Sequence, residues 1–185
     1  SEVLVIADGS ANSAWVAADL IAQAEHGAGA RSILVTTDKG LARAVATEVD
    51  RQINLLPNPA NAREGWDDHS AIISVASLDQ AIALANRIAS EHVELAIDDP
   101  QSALAGIRHA GAIFLGHHTP EAIGDYVGGS NHVLPTAGTA RFASGLGVLD
   151  FMKRTSILGC DPRTLSALSD AAVTLAEVEG LDGHA

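Results

Sequence analysis

Apolar residues follow two alternating rhythms along the chain. Val3-Leu4-Val5-Ile6-Ala7 is a short, uninterrupted run closed by Asp8-Gly9-Ser10. A run of this kind predicts a strand buried on both faces, as in a parallel sheet. From Asn12 or Ser13 the spacing becomes helical, with Val16, Leu20 and Ile21 on one side and Gly27 placed to stop it. The pair repeats. Ile33-Leu34-Val35-Thr36 precedes a helix through Leu41, Val45, Val49 and Ile53 that ends near Pro57, and Ala71-Ile72-Ile73-Ser74-Val75 precedes another, which Ser77 and Gln80 open as a capping box. His92-Val93-Glu94-Leu95-Ala96-Ile97 and Ala112-Ile113-Phe114-Leu115 are separated by a helix with Asp99 as its cap and Pro100 at its first position.

Alternation of this kind predicts an α/β fold: an open, mostly parallel sheet with helices on both faces. Residues 116 to 147 then change character to Gly, His, Pro, Thr and Ser, too long a stretch for a simple connection and placed where α/β folds carry their sites. A last helix starts at Asp161-Pro162 and runs through Leu165, Leu168, Val173, Leu175 and Val178. The expected organisation is an α/β domain over residues 1–147, followed by a helical tail over 148–185.

Composition narrows the function classes. Of 185 residues 47% are hydrophobic, 18% charged and only 3% aromatic, which is globular rather than disordered. A net charge of -12 argues against binding the phosphate backbone of nucleic acid. Cys160 is the only cysteine, so no disulfide forms within the chain and a reducing, cytoplasmic setting is the simpler expectation. No apolar run reaches the roughly eighteen residues that cross a bilayer. Ser1 leads almost directly into a buried-type strand, without Met or a signal peptide, and is read as the start of a fragment or a processed product.

Four groups of residues can carry chemistry. Gln23 and His26 lie three apart at the end of the first helix, so an amide oxygen and an imidazole share one face, although a His beside Gly27 also suits a helix C-terminus by charge alone. Ser90-Glu91-His92 offers a carboxylate and an imidazole at the edge of a strand; both reach one site only if the chain turns there, and a solvated pair is the alternative. The loop GDYVGGSNHVLPT fixes Asp125 and His132 among three glycines and a proline, and is the strongest signal of a site. The tail EGLDGHA places His184 one residue from the end. His69, His109, His117 and His118 receive no role.

Taken together, QAEHG, SEH, GDYVGGSNHVLPT and GTARFASGLGVLDFMKRTS, in this order and spacing, resemble histidinol dehydrogenase from Ser1 to Ala185. The resemblance implies a zinc ion held by Gln23, His26, Asp125 and His184, with L-histidinol filling further positions. Oxygen and nitrogen donors without thiolate suit a metal that binds substrate. It further implies that Glu91 and His92 form the acid–base pair, that Ser1, His132 and Glu179 line the substrate pocket, and that His184 crosses from the neighbouring subunit of a homodimer. The implied reaction oxidises L-histidinol to L-histidine with two NAD.

Family members are more than twice as long, and no G-x-G-x-x-G follows any predicted strand. The resemblance therefore places most of the NAD-binding part before Ser1, leaves the Rossmann-like sheet here incomplete, and implies weak NAD binding and little turnover by this chain alone. Two other readings stand beside it: a catalytically inactive metal- or ligand-binding module, and an excised structural piece.

Overall fold

The computed structural model describes all residues from Ser1 to Ala185. Its sheet has five strands, β1 (Glu2–Ala7), β2 (Arg31–Thr36), β3 (Ala71–Ser74), β4 (His92–Ala96) and β5 (Ala112–Leu115), in the order β3-β2-β1-β4-β5. Every pairing is parallel. β1 is central, between β2 and β4, and all six of its residues are buried. That explains its continuous apolar run, since a strand covered on both faces has no solvent side on which to alternate.

Each face of the sheet has its own core. Val3, Val5 and Ala7 of β1 pack with Val16, Leu20 and Ile21 of α1 (Ser13–Ala24) and with Leu41, Val45, Val49 and Ile53 of α2 (Lys39–Ile53). Leu4 and Ile6 face the other way, with Val93 and Leu95 of β4 and with α4 (Leu78–Ile88) and α5 (Pro100–Leu104) through Ala81, Ala85 and Ala103. This is the open α/β arrangement that the alternating pattern predicts. The helix starts follow the expected caps: Asn12, Ser77, Asp99 and Asp161 each accept from a backbone N–H in the first turn that follows. At α4 the capping glutamine, Gln80, accepts from Ala76 N rather than from Ser77 N, one residue earlier than the box requires.

The sequence reading missed two helices. α3 (Pro59–His69) occupies a stretch with few apolar positions, of which only Ala62 and Gly65 are buried. Gly65 makes it possible: a Cβ there would lie 2.3 Å from the carbonyl oxygen of Ala24, so α3 can cross the end of α1 only at a glycine. α6 (Glu121–Tyr126) is a six-residue helix inside the stretch expected to be loop. β4 also ends at Ala96, one residue earlier than the apolar run suggested.

The chain divides into two compact units, Ser1–Gly147 and Val148–Ala185. The second contains α7 (Pro162–Glu179), where Leu165, Leu168, Leu175 and Val178 are exposed. No helix is long and apolar enough to cross a membrane.

Gly65→Ala is expected to cost about 1 to 3 kcal/mol of stability by overpacking, whereas Gly159→Ala, whose added Cβ meets nothing, is expected to be close to neutral. Urea unfolding of both variants checks this; equal midpoints contradict the close contact of α3 with α1.

Candidate active site

The amino ends of β1 and β4 are neighbours, with Val3 opposite His92. α4 stops at Ala89, which turns the chain with φ 57 in the left-handed region. Ser90 and Glu91 follow as a turn whose carbonyls accept from Gly111 N (3.2 Å) and Ala112 N (2.8 Å) at the start of β5. This turn lets Glu91 and His92 serve one site, because adjacent residues within a strand point to opposite faces.

The peptide of Glu2 fixes both side chains. Its N–H donates to Glu91 Oε2 at 3.1 Å, and its carbonyl lies 3.2 Å from His92 Nδ1. A carbonyl can only accept, so Nδ1 carries the hydrogen and Nε2 is the free basic nitrogen. The Ser1 hydroxyl is 2.9 Å from Glu91 Oε2 and 3.2 Å from Gln23 Oε1, both acceptors, and ties the end of α1 to Glu91.

α6 closes the other side. Glu121 and Asp125 lie one turn apart on it. Gly124 between them sits against Phe114 of β5, where a Cβ would be 2.4 Å from the ring. Phe114 in turn packs near the His92 ring, with centroids 5.9 Å apart. Glu121 Oε1 is thereby held 3.7 Å from His92 Nδ1, and Asp125 Oδ1 3.3 Å from His92 Nε2. His92, Glu121 and Asp125 turn ligand atoms into one space, all within 4.8 Å of each other. Two acceptors facing each other, as Nε2 and Oδ1 do, require a proton or a cation between them.

The surrounding charge is negative and buried. Burial pushes the Glu121 carboxyl up to about 8, and the nearby charges of Asp125, Asp19 and Glu91 add to the rise. Glu94, two residues along β4, is raised by burial and by Asp19. Burial also raises Asp19, against the hydrogen bond it shares with Glu94. No lysine or arginine pairs with these three. At least part of the cluster is therefore neutral at pH 7.

Of the residues singled out in the sequence, Ser1, Gln23, Glu91, His92 and Asp125 form one connected group. His26 is exposed, one residue beyond the Glu25 cap of α1 and one turn from Gln23. His132 is exposed in the loop after α6. Glu179 ends α7 and His184 lies in the turn after it, both exposed and both in the second unit. Sequence reasoning missed Glu121, Glu94 and Asp19. Glu94 left a readable signal, an acid in an otherwise apolar strand; Glu121 left a fainter one, an acid four residues before Asp125.

A family model described as histidinol dehydrogenase matches residues 1–185. Histidinol dehydrogenase of Nitrobacter winogradskyi is 62% identical over 185 residues, covering 100% of this chain and 43% of that protein. The enzyme of Mesorhizobium japonicum is 60% identical over 184 residues, again across 43% of its length. A crystal structure of histidinol dehydrogenase from Elizabethkingia anophelis superposes with a TM-score of 0.88 at 38% identity, covering 100% of this chain and 42% of that one. The chain thus spans less than half the length of the relatives it matches.

The raised Glu121 carboxyl makes stability pH-dependent. The folded state holds this proton more tightly than the unfolded chain, so its contribution is full below about 4.5 and is lost as pH rises through about 8. In chelator, Glu121→Gln is expected to flatten the decline over that window by up to about 1 kcal/mol per pH unit. Parallel stability curves for wild type and variant contradict a protonated Glu121.

Proposed function

The chain belongs to the histidinol dehydrogenase family, and from that membership and the geometry at Glu91 and His92 we propose that the protein oxidises L-histidinol to L-histidine, the last step of histidine biosynthesis, as a cytoplasmic enzyme. Each turnover removes two hydrides and adds water. The observation that carries the reading is the shared anchoring of Glu91 and His92 on the Glu2 peptide, which holds a carboxylate and an imidazole side by side.

His92 Nε2 is the base that takes the hydroxyl proton as the first hydride departs, because Nδ1 is committed to the Glu2 carbonyl. Glu91, held by two donors on one oxygen, keeps the other free to draw a proton from water attacking the aldehyde. The same two groups serve the second oxidation from the hydrated aldehyde. Ser1, His132 and Glu179 line the substrate pocket in this reading. NAD, as hydride acceptor, binds mainly through the part of the longer relatives that precedes this segment.

The donor set fits a zinc ion. Gln23 of α1 offers an amide oxygen, His26 an imidazole one turn further on, just beyond the Glu25 cap, and Asp125 a carboxylate, a set of oxygen and nitrogen donors without thiolate. We assign Gln23, His26, Asp125 and His184 as its ligands, with His184 supplied by the partner subunit of a homodimer. When bound, zinc supplies a fixed point for the imidazole and amine of the substrate. The 148–185 tail contributes to the subunit interface, which gives its exposed leucines a partner.

The two acid–base roles separate by experiment in a polypeptide of the relatives' full length carrying this segment. His92→Asn is expected to lower kcat by about 10²- to 10⁴-fold. Glu91→Gln is expected to spare the first hydride transfer and slow the second, so that a rapid burst of NADH precedes a slow steady rate. Wild-type rates in both variants contradict the assignment.

A further inference from the structure

We infer that the carboxyl end of the sheet carries a second binding site, a cavity between α1 and the turn after β5 that takes a small organic cation, an ammonium group on a flat apolar body. The inference stands apart from the histidinol-oxidising reading, since it uses none of the residues assigned to that reaction.

The cavity has a volume of about 340 Å³ and is lined by Trp15, Ala18, Asp19, His117, His118 and Pro120. Trp15, Ala18 and Asp19 share one face of α1, at spacings of three and four residues. The other three residues lie between β5 and α6. Trp15 is 49% exposed, and the ring of His118 stands against it with centroids 5.3 Å apart at 58°. Ser10 Oγ lies 3.1 Å from His117 Nε2 and fixes that ring beyond the end of β1, while His117 Nδ1 is buried without a partner.

A smaller cavity of about 10 Å³ shares Trp15 and His117 with the first and reaches Glu94. Glu94 is 3% exposed, and its Oε2 has no hydrogen-bond partner. Asp19, in the wall of the larger cavity, is 9% exposed. No lysine or arginine lines either cavity.

A buried carboxyl oxygen without a donor is costly, and a guest that brings N–H groups removes that cost. Burial raises Asp19 to about 6, which still leaves it ionised at pH 7. The charge to be matched is therefore negative. Side chains that converge as metal ligands do, His92, Glu121 and Asp125, lie at the other end of the sheet, so a bare metal ion is not the guest here. The indole of Trp15, with Ala18 and Pro120, supplies an aromatic and apolar wall on which a cation gains face contact as well as charge. The volume lies at the lower end of what small-molecule sites offer, and suits a single ring with a short aminoalkyl arm. Its place also follows the rule for open α/β sheets, beside the carboxyl ends of β1 and β4, where strand order reverses.

The test titrates phenethylammonium and its uncharged counterpart, phenethyl alcohol, into a polypeptide of the relatives' full length in chelator. Calorimetry reads affinity, and NMR of the Trp15 indole N–H, assigned by its loss in Trp15→Phe, reads location. The ammonium is expected to saturate one site, to move the Trp15 signal, and to bind about tenfold or more tightly than the alcohol. Asp19→Asn is expected to remove that difference. Ala18→Leu, which fills the cavity from an exposed position and leaves both acids in place, is expected to weaken the ammonium about tenfold. Asp125→Asn, at the catalytic end, is expected to leave its binding unchanged. Absence of saturable binding, equal affinity for ammonium and alcohol, or wild-type affinity in Ala18→Leu overturns the site. Binding that Asp125→Asn abolishes and Asp19→Asn spares also overturns it, by placing the probe at the acid–base pair. If Asp19→Asn fails to fold, Ala18→Leu decides alone.

Discussion

The peptide of Glu2 holds Glu91 by its N–H and His92 by its carbonyl, and both contacts exist only because β1 and β4 pair in parallel with Val3 opposite His92. A slip of one residue in that pairing would turn His92 away from α1 and α6 and put an apolar side chain in its place. The burial of β1 on both faces is therefore what fixes the chemistry. The core sets the register, and the register sets which ring nitrogen is basic.

The site lies at the amino ends of the strands, whereas ligands in open α/β sheets usually bind beyond the carboxyl ends, at the point where strand order reverses. In this sheet that point is between β1 and β4, and its carboxyl end is crowded with acids. Asp8 accepts there from the N–H groups of Ser10 and Asp98, and Asp38 caps α2 close to Gly9. Carboxylates used to tie loops together do not form an anion cradle. The amino end offers Glu91 and His92 at the start of β4, anchored on the Glu2 peptide of β1, with α1 and α6 supplying Gln23 and Asp125. Between the two ends, burial of Asp19, Glu94 and Glu121 is unfavourable in proportion to their charge, so the fold tolerates them largely by keeping protons on them.

Much of the sheet was legible because buried parallel strands announce themselves as runs such as Val3–Ala7 and Ile33–Val35, and because Asn12, Ser77, Asp99 and Asp161 mark helix starts. α3 was not, since Gly65 and Ala62 suit a helix crossing at close range rather than one burying a broad apolar stripe. α6 hid among turn-forming residues, and with it Glu121, whose importance arises only when Gly124 lets the helix settle on Phe114. The pairing of Glu91 with His92 depended on a turn at Ala89, an alanine in the left-handed region that nothing in its own identity foretells. Asp125 was found from its loop, but its closeness to His92 Nε2 is a tertiary fact.

The tautomer of His92 tests this account most directly. In the metal-free protein, ¹⁵N NMR of the neutral imidazole is expected to show hydrogen on Nδ1, exchanging slowly with solvent, and a bare Nε2. Hydrogen found instead on Nε2, with Nδ1 bare, would mean that the Glu2 carbonyl does not orient the ring, and the assignment of His92 as the base would fall with it.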